Sequence, residues 1–174
     1  MDRNLVRLGL QALPLIIPVN IYVIGDWLGT GVQWAFFRFQ QTYMGTSIIP
    51  VTQDISLVLS GILHGKTGAS LIVWGFGAAL LFVALGIVLY AISVADDTRS
   101  LRYAPELTIL AGILFLASCI LQYGITLSSE AGFAIPVGVP LIIITGYWTY
   151  RMDRAEVPDE DEDTHSAEEY PEEE

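Results

Sequence analysis

Apolar residues fall into four long runs along the chain, separated by short polar or glycine-rich breaks. The first runs from about Leu8 to Ile24, the second from Ala69 to Val94, the third from Leu107 to Tyr123 and the fourth from Ala134 to Tyr150. A helix needs ~20 apolar residues to cross a ~30 Å hydrocarbon layer. Backbone groups in lipid must find internal partners, which only helices and closed barrels provide. The runs lack the ten-residue alternation of barrel strands. The pattern therefore predicts an all-α polytopic membrane protein with four transmembrane helices. The first and fourth runs are short and hold two prolines each, Pro14 with Pro18 and Pro136 with Pro140.

The outer loop from Gly25 to Gly68 is not a polar linker. It carries Trp27, Trp34, Phe36, Phe37, Phe39 and Tyr43, residue types that favour the membrane–water interface. Behind Pro50 and Thr52, the residues Ile55, Val58, Leu59, Ile62 and Leu63 recur at helical spacing and stop near Gly65. This predicts a short interfacial helix, with Asp54 in its first turn. The stretch Val32 to Tyr43 reads equally as helix or strand.

Composition agrees with the membrane reading. Of 174 residues, 53% are hydrophobic and 16% charged, against about 25% charged in a soluble domain. The net charge of −11 belongs to the C-terminal end. Met1 to Arg151 is balanced, whereas 152–174 holds twelve acids against Arg154 alone. That segment is expected to be a disordered, acidic cytoplasmic tail. The acidity argues against a nucleic-acid partner. Arg3, Arg7, Arg99, Arg102, Arg151 and Arg154 would share one face of the membrane, and Arg38 and Lys66 the other. The positive-inside rule then places both termini in the cytoplasm. Arg3 and Arg7 ahead of an apolar run also suit a signal peptide, but no small-residue cleavage site follows, so a retained anchor is expected.

Candidate chemistry is sparse. Cys119 is the only cysteine, which excludes an internal disulfide and a cysteine metal site. His64 is the only histidine ahead of the tail. It could ligate a metal or haem, but no second histidine accompanies it. Asp26 and Asp54 could form a carboxylate pair or pair with Arg38 and Lys66; Asp54 is most simply a first-turn helix residue. With His64 they define a weak reading as a lipid-directed enzyme at the outer face. The apolar runs contain almost no ionisable groups, which opposes a proton-coupled pump. Gln11, Asn20 and Gln122 are expected to bond between helices.

Two further features bear on function. Ala12 to Pro18 and Ala134 to Pro140 both read A-x-P-x3-P. Paired broken helices can mark a transport site, although two kinked helices explain the prolines more simply. Gly75 and Ala79 form a small-xxx-small pair for close helix approach. No nucleotide-binding, zinc-protease or nucleophile-elbow motif is present, and no cofactor or metal is expected.

One lysine against seven arginines and an acidic tail give the chain a haloarchaeal look. The segments Ser93-Val94-Ala95-Asp96-Asp97-Thr98-Arg99 and Ala134-Ile135-Pro136-Val137-Gly138 resemble a family of small haloarchaeal multi-pass membrane proteins. The resemblance implies a cell-membrane location and no particular activity. The leading expectation is a non-enzymatic accessory or scaffold subunit. Its surfaces would be Trp34, Phe36 and Phe37 in the loop and the Gly75–Ala79 face, toward a membrane-protein partner or a second copy. The alternative is a small-molecule or ion transporter built on the proline-broken first and fourth runs.

Overall fold

Pro18 and Pro136 decide the architecture, because the chain changes from helix to strand at one and from strand to helix at the other. The computed structural model describes residues 3–25, 27–93 and 103–154. Asp26, residues 94–102 with Arg99, Arg102 and most of the resemblance motif, where a short inner turn was expected, and the tail from 155 onward lie outside the described residues. In chain order the elements are α1 (Arg3–Ile16), β1 (Asn20–Ile24), β2 (Gly29–Gln33), β3 (Phe37–Thr42), β4 (Gly45–Pro50) and α2 (Val51–Leu59), followed by α3 (Gly65–Ser93), α4 (Tyr103–Tyr123), β5 (Ser128–Ser129), β6 (Gly132–Ile135) and α5 (Val139–Arg154).

The fold is therefore mixed α/β, and the all-α expectation is overturned. Among the described residues six strands form one antiparallel sheet in the order β4-β3-β2-β1-β6-β5. The run Leu8–Ile24 divides into the end of α1 and all of β1. The run Ala134–Tyr150 divides into the end of β6 and most of α5. β1 beyond Asn20 and β6 are short, continuously apolar strands, and hydropathy alone cannot separate such a run from a piece of apolar helix. The prolines do. The residue before a proline is pushed out of the α region, and Ile17 and Ile135 hold those positions. Of the four expected kink residues, only Pro14 sits in the interior of a helix. Pro18 and Pro136 are joints, and Pro140 lies in the first turn of α5, where its missing N–H costs nothing. The transporter alternative loses its pair of broken helices.

The middle runs behave differently. Ala69–Val94 and Leu107–Tyr123 fall within α3 and α4 apart from Val94, which lies outside the described residues. These are two helices long and apolar enough to cross a membrane, with mean hydropathies of 2.5 and 2.0. Only 39% and 44% of their most apolar stretches are buried within the chain. Phe82, Val83, Leu89, Leu110 and Ile113 face outward. α3 packs on α4, α4 on α5, α5 on α1 and α1 on α3. Buried polar contacts lock this ring. Gln11 on α1 donates to Thr108 Oγ1 on α4 at 2.8 Å, and Thr108 donates on to Ala104 O. Ser70 and Ser118 each donate to the other's backbone carbonyl, at 2.9 and 2.8 Å, across α3 and α4.

The sheet and α2 stand beside the first half of α3 and the last half of α4. Val19 and Ala35 from the sheet's inner end join Trp74, Leu81, Phe115 and Ile142 in the main core. The Trp74 ring lies 4.6 Å from that of Phe115 and donates its indole N–H to Ala35 O at 3.1 Å. A second apolar cluster, Ala84, Val88, Ala91 and Ala104, forms further along the helices. In the sheet, Tyr22 is paired with Gly31, where any Cβ would overlap the tyrosine ring. Glycine at 31 lets the phenol lie flat across β2 and reach β3.

A polar cavity and a pair of hairpin tips

The inner face of the sheet, the start of α3 and the end of α4 enclose a cavity of about 260 Å³. The sheet supplies Asn20, Tyr22, Gln33, Arg38 and Gln40; the helices supply Thr67, Ser70, Trp74, Ser118, Cys119, Gln122 and Tyr123. Strand alternation places Arg38 and Gln40 on the same face of β3, and the flat Tyr22 ring carries its hydroxyl to Gln40 Oε1 at 3.3 Å. Arg38 Nη2 donates to Asp54 Oδ1 of α2 at 2.7 Å. That carboxylate is 2% exposed. Burial pushes the Asp54 carboxyl above its usual range, and the adjacent Arg38 opposes the shift only in part. Burial likewise raises the Tyr22 hydroxyl. Asn20 donates to Cys119 Sγ at 3.6 Å. Its Oδ1, and Nε of Arg38, are buried without a hydrogen-bond partner.

This lining can hold a ligand more readily than it can perform chemistry. The described lining residues include no histidine or carboxylate to activate a nucleophile. Among the described residues no cluster of three metal-ligating side chains occurs.

A second feature lies at the far end of the sheet. Trp27 and Leu28 form the β1–β2 tip, and Tyr43 and Met44 form the β3–β4 tip beside it. Trp27 is 75% exposed, Tyr43 78% and Met44 81%. The Trp27 backbone has φ 63°, a left-handed conformation uncommon for a bulky residue. Its ring meets the edge of Phe133 at 5.9 Å.

The residues singled out from sequence are mostly engaged inside the molecule. Trp34 stacks on Phe37 at 4.8 Å and donates its indole N–H to Ile16 O at 3.0 Å, tying the β2–β3 turn to α1. Phe36 packs on the main core and meets Phe82 edge-on at 6.4 Å. Gly75 lies beneath α2, where a Cβ would come 2.9 Å from Ile55 Cδ1. Ala79 lines the same groove between α2 and α3. α2 therefore packs over Gly75, while Ala79 stays exposed along the groove. His64 is exposed in the α2–α3 connection. Gln11 bonds between helices as expected, whereas Asn20 and Gln122 line the cavity. The sequence reading missed Tyr22, Arg38 and Gln40 as one group, although the alternation of Phe37, Arg38, Phe39 and Gln40 is a strand signal. It passed over Trp27 and Tyr43 among many aromatics, and the positive φ at Trp27 has no sequence mark. The chain matches no protein-family model and no curated protein.

Proposed function

We propose that this is a membrane-anchored accessory subunit without catalytic activity, held in the bilayer by α3 and α4, that presents its sheet to a partner protein. The observation that carries the reading is the adjacent pair of hairpin tips. Trp27, Leu28, Tyr43 and Met44 place exposed aromatic and flexible apolar side chains at the end of the sheet farthest from the second apolar cluster of the helices. Aromatic residues and Met are enriched in interface cores. Exposed apolar side chains clustered away from the lipid-facing helices need another cover.

Anchoring is supported by the outward apolar side chains of α3 and α4. A 29-residue helix is ~43 Å long at 1.5 Å per residue. This exceeds the ~30 Å hydrocarbon layer, which leaves its first turns beside the sheet outside the lipid. Arg99 and Arg102 fall between α3 and α4 in sequence. The positive-inside rule puts that end, with the start of α1 and the end of α5, on the cytoplasmic side and the sheet on the outer side.

Photo-crosslinking from position 43 in native membranes tests the reading. It expects one stoichiometric membrane-protein adduct, lost when Trp27 and Met44 are replaced by Ser in a chain that keeps its melting temperature. An unchanged adduct in that variant, or none from wild type, would contradict it.

A further inference from the structure

We infer that the cavity beneath the sheet is a binding site for a small uncharged polyol, about the size of one sugar ring. The inference is independent of the accessory reading. It starts from two buried polar atoms without partners, Asn20 Oδ1 and Arg38 Nε. Asn20 is 2% exposed. Turning its amide over would place the nitrogen where the oxygen is unpartnered, so one end of the side chain lacks a partner in either orientation. Leaving a buried polar group unmet is costly, and both of these residues line one cavity.

The chemistry of the lining selects the ligand. One unpartnered atom is an acceptor and the other a donor. A hydroxyl group serves both, and serves either orientation of the amide; a carboxylate or phosphodiester offers acceptors only and leaves Asn20 Oδ1 unmet in the orientation shown. The charge of Arg38 is already matched by Asp54 at 2.7 Å. No other charged residue is among the described residues lining the cavity, so it offers no net attraction for an ion. Around these atoms stand the carboxamides of Gln33, Gln40 and Gln122 and the hydroxyls of Thr67, Ser70 and Ser118. The rings of Tyr22, Trp74 and Tyr123 also line the space. Their faces suit the apolar C–H face of a sugar ring. At about 260 Å³ the space is smaller than the ~300–1,000 Å³ of ordinary drug-sized pockets. Leu63, Thr67 and Gln122 on the helix side and Gln33, Arg38 and Gln40 on the sheet are its partly exposed lining residues, so its mouth lies among them.

The same polyol chemistry could come from a free sugar or from the glycosyl headgroup of a lipid. Saturation-transfer NMR on the full chain in a sugar-free detergent tests the site, with D-glucose, glycerol and inorganic phosphate as probes. A parallel arm uses nanodiscs with and without a monoglucosyl diacylglycerol. The expected result is saturable glucose binding in the millimolar range, or saturable binding of the glucosyl lipid, and no competition by phosphate. Asn20→Leu should weaken binding at least tenfold. Because that change lies inside the fold, Thr67→Trp at the mouth is the second variant, expected to abolish binding with an unchanged melting temperature. Binding of phosphate in preference to glucose would overturn the inference. So would glucose binding that survives Thr67→Trp. Absence of any binding, with Asn20→Leu melting higher than wild type, would show a cavity that holds water only and would also overturn it.

Discussion

Arg38 on β3 and Asp54 in the first turn of α2 are joined at 2.7 Å, and this pair fastens the sheet to the helix leading into α3. The carboxylate is almost wholly buried while the guanidinium keeps partial contact with solvent. Desolvation outweighs attraction at Asp54, so its folded-state pKa lies above the ordinary 3.8. The folded state then holds the proton more tightly than the unfolded state. The stability that follows is fully present below about pH 3.8 and is lost as pH rises through the raised folded value. Asp54→Asn, which keeps an oxygen acceptor for Arg38, should match or exceed wild type at pH 7, and its advantage should shrink toward pH 3.5. Asp54→Ala removes the acceptor and should cost about 1–3 kcal/mol. Thermal unfolding of the three proteins from pH 3.5 to 7 checks both signs.

Glycine at position 31 is needed for the path of Tyr22 across the sheet. Gly31→Ala would push the ring off β2 and break its contact with Gln40. Overpacking of this kind costs about 1–3 kcal/mol. The expected outcome is a lower melting temperature with faster amide exchange in β1 and β2. Unchanged exchange would mean that the ring does not lie there.

Ser70 and Ser118 bond reciprocally where α3 and α4 come closest to the cavity. A double-mutant cycle with Ser70→Ala and Ser118→Ala should give a coupling of about 0.6 kcal/mol, and no more than about 1.7, if the two helices pack as helices do in lipid. Additive effects would place the two hydroxyls apart.

Trp27, Tyr43 and Met44 are expected to behave as surface residues for stability. Single changes to Ser at Tyr43 or Met44 should shift stability by no more than ~0.5 kcal/mol. A larger loss, measured by thermal unfolding, would show that the tips are structural and would remove the argument for a partner.

The two long helices were legible because their apolar residues continue all round the helix for longer than a soluble core element needs. The helix after Pro50 was legible from Ile55, Val58 and Leu59, but α2 occupies only Val51–Leu59, and Ile62 and Leu63, expected in the same helix, lie in the connection to α3. The sheet was not. Its β1–β6 pairing joins Ile21 to Ile135, residues with no local relation, and both strands run directly into apolar helices. The similar proline motifs did carry information, but of another kind. Gly138 donates its backbone N–H to Val19 O at 3.0 Å, and a Cβ at 138 would strike the Pro18 carbonyl. The two motifs lie side by side as the joints where β1 and β6 meet their helices. The cavity was only half legible. Asn20 and Gln122 stood out as polar residues in apolar runs, but read as helix residues they pointed to helix–helix bonds. Arg38 belonged to a loop until β3 carried it beneath the sheet.

The most direct test of the membrane-anchored reading is labelling of single-cysteine variants in native membranes with a membrane-impermeant maleimide. Cys119, buried at 2% exposure, serves as the silent background. Val83 and Ile113 are each 49% exposed and Tyr43 is 78% exposed. If α3 and α4 sit in lipid, Tyr43→Cys labels readily while Val83→Cys and Ile113→Cys stay unlabelled until the membrane is dissolved. Equal labelling at all three positions in intact membranes would contradict the account.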